Sequence, residues 1–125
     1  MVKTMRNVTV PISSIVGGGI CVSATDGHKV YEHVRKGVLD GDRVVLSFSG
    51  ITRMTTAFLN AAVGQLYGEF SETIIRQHLA DPVDFEPWHI SRLRLVVDRA
   101  KEYFRDTTRV EKAFASNAGH HADDI

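Results

Sequence analysis

The chain has 125 residues, a length that suits one domain with its own hydrophobic core. Lys plus Arg and Asp plus Glu both number 15, so the net charge is zero and gives no overall attraction to nucleic acid or anionic membranes. The single cysteine, Cys21, excludes an intramolecular disulfide, and no apolar run approaches the roughly 20 residues of a membrane span. The first ten residues also lack the apolar middle of a signal peptide. These features predict a cytoplasmic protein, and we expect Cys21 to be a buried structural thiol.

The N-terminal segment is predicted to form a strand and then a hairpin. Val8–Val10 alternates as a strand does, and Pro11, which cannot donate to a ladder, favours the strand's end or an edge. Short apolar runs on both sides of Gly17–Gly19 predict a β-hairpin around the glycines. The alternative for these glycines is a phosphate-cradling loop, which needs a helix directly after them.

A first helix is predicted over residues 27–39, with Asp26 as its N-cap. Three valines at four-residue spacing form its narrow apolar stripe, Val30, Val34 and Val38. The next element, Arg43–Ser49, is the clearest strand of the chain. Its apolar side consists of Val44, Leu46 and Phe48.

A second helix is predicted from a cap at Thr55 or Thr56 to about Gly68. Its buried face is expected to hold Leu59, Ala62, Val63 and Leu66. Gly64 and Gly68 each cost about 1 kcal/mol relative to Ala inside a helix. Their presence indicates either fraying of the helix or close approach of another surface, which is the protein's own sheet or a partner.

Residues 71–85 fit either a short helix capped by Ser71 or a strand. A final helix is predicted over Pro87–Arg105, where Trp88 beside His89 is typical of a hydrophobic anchor at a helix start. Its apolar positions are Ile90, Leu93, Val97, Ala100 and Phe104. Residues 107–125 lose this period and are predicted to form a disordered tail.

Two motifs connect these elements to a known family. The segment Val22–Gly27 reads VSATDG before a predicted helix, and Leu46–Asn60 reads LSFSGITRMTTAFLN across a strand, a turn and a helix. Together with the order of elements, they make the chain resemble prokaryotic STAS-like proteins of unknown function, relatives of the anti-sigma factor antagonists. The resemblance implies an α/β fold with a mixed β-sheet and helices packed on one face, over residues 1–106.

The same resemblance implies a function. Thr56 falls where phosphorylated antagonists carry their phosphorylatable Ser, and Thr55 falls where they usually carry Asp. The family resemblance therefore implies a non-enzymatic regulatory module that docks a protein partner through the turn and helix at 52–68. The implied partner is a histidine-kinase-type ATPase or an anti-sigma-like kinase. The predicted partner-binding residues are Thr55, Thr56, Asn60, Gly64 and Tyr67, with Thr56 as the phosphorylation candidate.

Other functions stay open at the level of sequence. One is a small nucleotide-binding protein or enzyme that uses the loop Gly17–Gly19, and another is a structural subunit of a prokaryotic defence or toxin–antitoxin complex. The hydroxyls of Thr55 and Thr56 are also explained by helix capping alone. The six histidines have no structural-zinc spacing, so we expect neither a metal nor a cofactor. The zero net charge mildly favours self-association into a homo-oligomer.

Overall fold

The computed structural model describes the backbone of residues 5–117 and the side chains of residues 5–105. Its strands are β1 (Asn7–Pro11), β2 (Ile20–Cys21), β3 (Arg43–Ser47) and β4 (Arg53–Met54). Its helices are α1 (Ile12–Val16), α2 (Ala24–Leu39), α3 (Thr56–Leu59), α4 (Leu66–Glu69), α5 (Glu72–His78) and α6 (Pro87–Asn117), with a π-helical turn at Asn60–Gly64 between α3 and α4.

The α/β class is confirmed, but the strands within the described residues do not form one mixed sheet. Strand β1 pairs in parallel with β3, and β2 pairs in parallel with β4. Isolated parallel bridges from Val44 to Leu79 and from Ser47 to Val83 extend the free edge of β3. The predicted mixed sheet is therefore replaced by two small parallel sheets, because β2 and β4 are only two residues long and each pairs with the other alone.

The predicted hairpin at Gly17–Gly19 is wrong. The apolar run before the glycines is α1, which ends at Gly17 in a left-handed conformation with φ of 96°. The strand after them, β2, pairs with the distant β4. A run of five residues carries too little periodicity to separate a short helix from a strand. The glycines also lead into a strand, so the helix that a phosphate loop requires does not directly follow them.

Helix α2 begins earlier than the sequence predicted. Its N-cap is Ser23, whose hydroxyl accepts a hydrogen bond from the Asp26 N–H at 3.0 Å. Asp26 therefore lies in the first turn, where a carboxylate suits the helix dipole, and is not the cap. The predicted valine stripe is confirmed as buried, together with Gly27 and Tyr31 on the same side of the helix.

The hydrophobic core is centred on β3 and the helical segment from α3 to α4. All seven core residues predicted from these elements are buried, namely Val44, Leu46, Phe48, Leu59, Ala62, Val63 and Leu66. Cys21 is fully buried, which confirms the structural thiol, and burial raises its pKa.

His89 is a polar residue packed into this core and is only 1% exposed. Its Nδ1 accepts from the Glu86 N–H at 2.9 Å, so its Nε2–H donates to the Ile51 carbonyl at 3.1 Å. The ring stacks on Phe48 with centroids 5.2 Å apart. At the start of α6, where the sequence predicted a hydrophobic anchor, His89 is therefore the buried residue, and Trp88 is half-buried.

In the C-terminal part, the ambiguous segment 71–85 contains a short helix, and the last helix is longer than predicted. Ser71 caps α5, as one of the two alternatives predicted. Helix α6 buries Val96 and Ala100, whereas Leu93, Val97 and Phe104 are half-buried. It continues to Asn117, so the end predicted at Arg105 is too early. The rest of the predicted tail, 118–125, lies outside the described residues.

Along the described chain, no helix has both the length and the apolar character needed to cross a membrane.

Candidate functional site

The Thr-bearing turn gives its two threonines different roles. Thr55 is the N-cap of α3, because its hydroxyl accepts from the Phe58 N–H at 3.1 Å. The same hydroxyl donates to the Val22 carbonyl at 2.9 Å, which joins the turn to the segment before α2. Both hydrogen-bonding functions of Thr55 are thus used by the fold.

Thr56 is the first residue of α3, and its side chain is exposed. Its hydroxyl forms no hydrogen bond with any other residue that the structure describes. Helix capping therefore accounts for Thr55 and leaves the Thr56 hydroxyl available to an outside group.

The predicted docking helix is interrupted by the π-helical turn at Asn60–Gly64. The Gln65 N–H bonds to the Asn60 carbonyl at 3.2 Å, which is the i→i+5 spacing of a π turn. The wider turn leaves Asn60 exposed and Gly64 buried. A Cβ on Gly64 would stand 2.5 Å from Oδ1 of Asn60 and 3.6 Å from Val96.

Helix α6 covers the C-terminal half of the predicted docking face. Gly68 lies against Phe104, since a Cβ there would stand 2.5 Å from the ring. The Lys101 ammonium lies 6.0 Å from the ring centroid of Tyr67, and burial raises the pKa of the Tyr67 phenol. The close surface that Gly64 and Gly68 predicted is therefore α6 and not the sheet.

The N-terminal half of the docking face remains open as a groove between α3, the π turn and α6. We call it the α3–α6 groove, and its volume is about 590 Å³. Its walls combine apolar and polar side chains, namely Thr56, Ala57, Asn60, Gln65, Val96, Arg99, Ala100, Tyr103 and Phe104. Arg99 is exposed and has no ion pair with a described residue.

Two of the five predicted partner-binding residues, Thr56 and Asn60, meet in this groove. Thr55 supports the turn, Gly64 is buried below, and Tyr67 is half-covered by α6. The wall that α6 contributes was not predicted from the sequence. Arg99 is one of several charged residues that lie between the apolar positions of the last predicted helix, and that charge was the available signal.

Two surface ion pairs lie where α4 ends and α5 begins, at Glu69 and Glu72. The Tyr31 hydroxyl donates to Oε1 of Glu69, and the Arg35 Nε–H donates to Oε2 at 2.6 Å. Arg105 on α6 binds Glu72 through two bonds of 2.7 and 2.8 Å. These contacts connect α2 to α4 and α6 to α5.

No group of three or more His, Cys, Asp or Glu side chains within the described region could hold a metal ion. The groove itself contains no carboxylate or histidine among its lining residues. Its chemistry is that of hydroxyl, amide, guanidinium and aromatic groups, which suits binding of another molecule by contact and hydrogen bonds.

Residues 26–81 match the family described as STAS-like domain of unknown function (DUF4325). The matched segment includes most of α2, all of β3 and the Thr-bearing turn, and continues through α5. Helix α6, the second wall of the groove, lies outside it. No curated protein and no solved structure matches the chain.

Proposed function

We propose that the chain, whose residues 26–81 match a STAS-like domain family of unknown function, is a non-enzymatic regulatory module that docks a protein partner. The docking surface is the α3–α6 groove, which lies within the predicted region 52–68 on one side and is completed by α6. Phosphorylation of Thr56 is the proposed control.

The proposal rests on one observation, the difference in hydrogen bonding between the hydroxyls of Thr55 and Thr56. Thr55 alone caps α3 and ties the turn to Val22. The Thr56 hydroxyl is exposed on the rim of the groove and forms no bond with the described residues. A phosphate on Thr56 would add about −1.5 to −2 charge on this rim without removing a cap. Such a change alters which surface can dock while leaving the fold in place.

The proposed partner is a histidine-kinase-type ATPase or an anti-sigma-like kinase. The groove supports contact with a protein because it offers an apolar floor at Val96 and Ala100 with a polar rim at Asn60 and Arg99. Its exposed guanidinium favours a partner segment that carries a carboxylate.

The test compares partner retention by matched variants in pull-downs from the native host. Thr56→Glu and Asn60→Arg change the rim of the groove, and both positions are exposed. Thr73→Glu is the control, because Thr73 is an exposed threonine in the first turn of α5 and does not line the groove. We expect the parent and Thr73→Glu to retain one specific partner and both groove variants to lose it. A phosphate that the co-purified partner and ATP place on the parent but not on Thr56→Val would identify the modified residue.

The far-UV spectrum of each variant shows whether it is folded. If both groove variants fold and keep every partner, the groove is not the docking surface. If the partner is lost equally by Thr73→Glu, the loss reflects added charge and not the position of Thr56.

A further inference from the structure

A second, smaller cleft lies on the other side of the Thr-bearing turn. We call it the Arg53–Arg92 cleft, and its volume is about 280 Å³. It is lined by Thr52, Arg53, Met54, Thr55, Trp88 and Arg92. None of these residues lines the α3–α6 groove, so the two sites are separate.

The cleft concentrates positive charge in a protein whose net charge is zero. Two of its described lining residues are arginines, and none of them carries a carboxylate. Arg53 is exposed, and its side chain forms no ion pair or hydrogen bond with a described residue. The cleft therefore holds a guanidinium that the fold itself does not use.

Arg92 is held in place by the fold but keeps donors for a ligand. Its Nη1 donates to the Met54 carbonyl, and its guanidinium lies 5.4 Å from the ring centroid of Trp88. A guanidinium has five N–H donors, so this bond leaves others available. Because the cation–π contact with Trp88 and the carbonyl bond already restrict the side chain, a ligand would have little further rotamer entropy to overcome.

We propose that the Arg53–Arg92 cleft binds a phosphate monoester, with Arg53 and Arg92 on its dianionic oxygens. Two planar guanidinium forks match the several oxygens of a phosphate better than the two of a carboxylate. The volume leaves room for the phosphate and the first atoms of the group that carries it. The carrier is either a small metabolite or a phosphorylated side chain, which share this chemistry.

The experiment uses Trp88, the single tryptophan of the chain, as the reporter of the cleft. Its fluorescence is followed while the full chain is titrated with O-phosphothreonine, with a phosphothreonine peptide and with sodium chloride at matched ionic strength. Calorimetry of the same titrations gives an independent readout. We expect saturable binding of the phosphate monoesters and none of chloride. Tighter binding of the peptide indicates a protein source, and equal binding indicates a small metabolite.

Three variants test the assignment of the arginines. Arg53→Gln should fold as the parent does, because the Arg53 side chain forms no hydrogen bond or ion pair with a described residue, and should weaken binding about tenfold. Arg92→Lys keeps the charge but loses the fork, and should also weaken binding. Arg94→Gln is the control on the exposed surface of α6 and should bind as the parent does.

The proposal is overturned if neither readout detects saturable binding through the millimolar range. It is equally overturned if Arg53→Gln binds like the parent or if Arg94→Gln loses as much affinity as Arg53→Gln. The pull-down variants at Thr56 and Asn60 lie outside this cleft, so failure here leaves the docking proposal intact.

Discussion

Gly27 of α2 lies directly against the backbone of α3, where a Cβ would stand 2.4 Å from the carbonyl oxygen of Phe58 and 2.9 Å from Cβ of Ala61. At this contact α2 packs closely on the helical segment that carries the Thr-bearing turn. The position of the turn therefore depends on the absence of a side chain at Gly27.

We predict that Gly27→Ala destabilises the fold by about 2 kcal/mol. The added methyl meets a backbone carbonyl that cannot move alone, and the resulting overpacking outweighs the gain in helix propensity. The control is Gly18→Ala, since a Cβ there meets nothing within 4 Å. Urea denaturation of both variants checks the prediction, and equal midpoints would contradict the close packing of α2 on α3.

The two threonines of the turn should differ in their effect on stability. Thr55→Ala removes a helix cap and the bond to Val22, and we expect a loss of about 1 to 2 kcal/mol. Thr56→Ala removes an exposed side chain without a described hydrogen bond, so its effect should stay within about 0.5 kcal/mol. Thermal melts of the two variants make the comparison. A larger loss at Thr56 would mean that Thr56 is the structural residue of the pair.

The Tyr31–Glu69 bond predicts a specific dependence of stability on pH. Burial, and then the bond to Glu69, raises the pKa of Tyr31 to about 12 from an ordinary 10.0. The same bond, ahead of the contact with Arg35, lowers the pKa of Glu69 from 4.5. The raised pKa of Tyr31 contributes stability that is fully present below pH 10. This stability is lost as pH rises toward 12. The lowered pKa of Glu69 contributes stability that is fully present above pH 4.5. This stability is lost as pH falls below 4.5.

Tyr31→Phe should therefore lower the free energy of unfolding by about 1 kcal/mol near neutral pH. Its stability should also fall less steeply than the parent's on both sides, above pH 10 and below pH 4.5. Urea denaturation across this range provides the measurement. Parallel pH profiles for the two proteins would show that the bond does not contribute to stability.

The stack of Phe48 on His89 joins the residue that follows β3 to the start of α6 in the core. Phe48→Ala should destabilise the fold by about 3 to 5 kcal/mol, because it leaves a cavity and removes the surface on which His89 rests. Phe85→Ala is the matched control, since Phe85 is 48% exposed. We expect it to cost less than about 1 kcal/mol. Similar melting temperatures for the two variants would remove Phe48 from the core.

The amino-acid sequence by itself determined the elements whose signal is local and periodic. The alternation of Val44, Leu46 and Phe48 marked β3, and the four-residue spacing of Val30, Val34 and Val38 marked α2. Both patterns were long enough to show which side faces the core, and the structure buries those sides. The STAS-like resemblance was likewise carried by contiguous motifs within and beside these elements.

Only the tertiary structure decided how the elements meet. The parallel pairing of β2 with β4 joins residues far apart in sequence, and two-residue strands carry no pattern that could reveal it. Helix α6 covers Tyr67 and Gly68 because segments that are distant in sequence pack together. The assignment of the cap to Thr55 rather than Thr56 depends on where the backbone turns, because both side chains have the same chemistry. Local periodicity fixes an element's own faces, whereas its neighbours are chosen by contacts that no single segment contains.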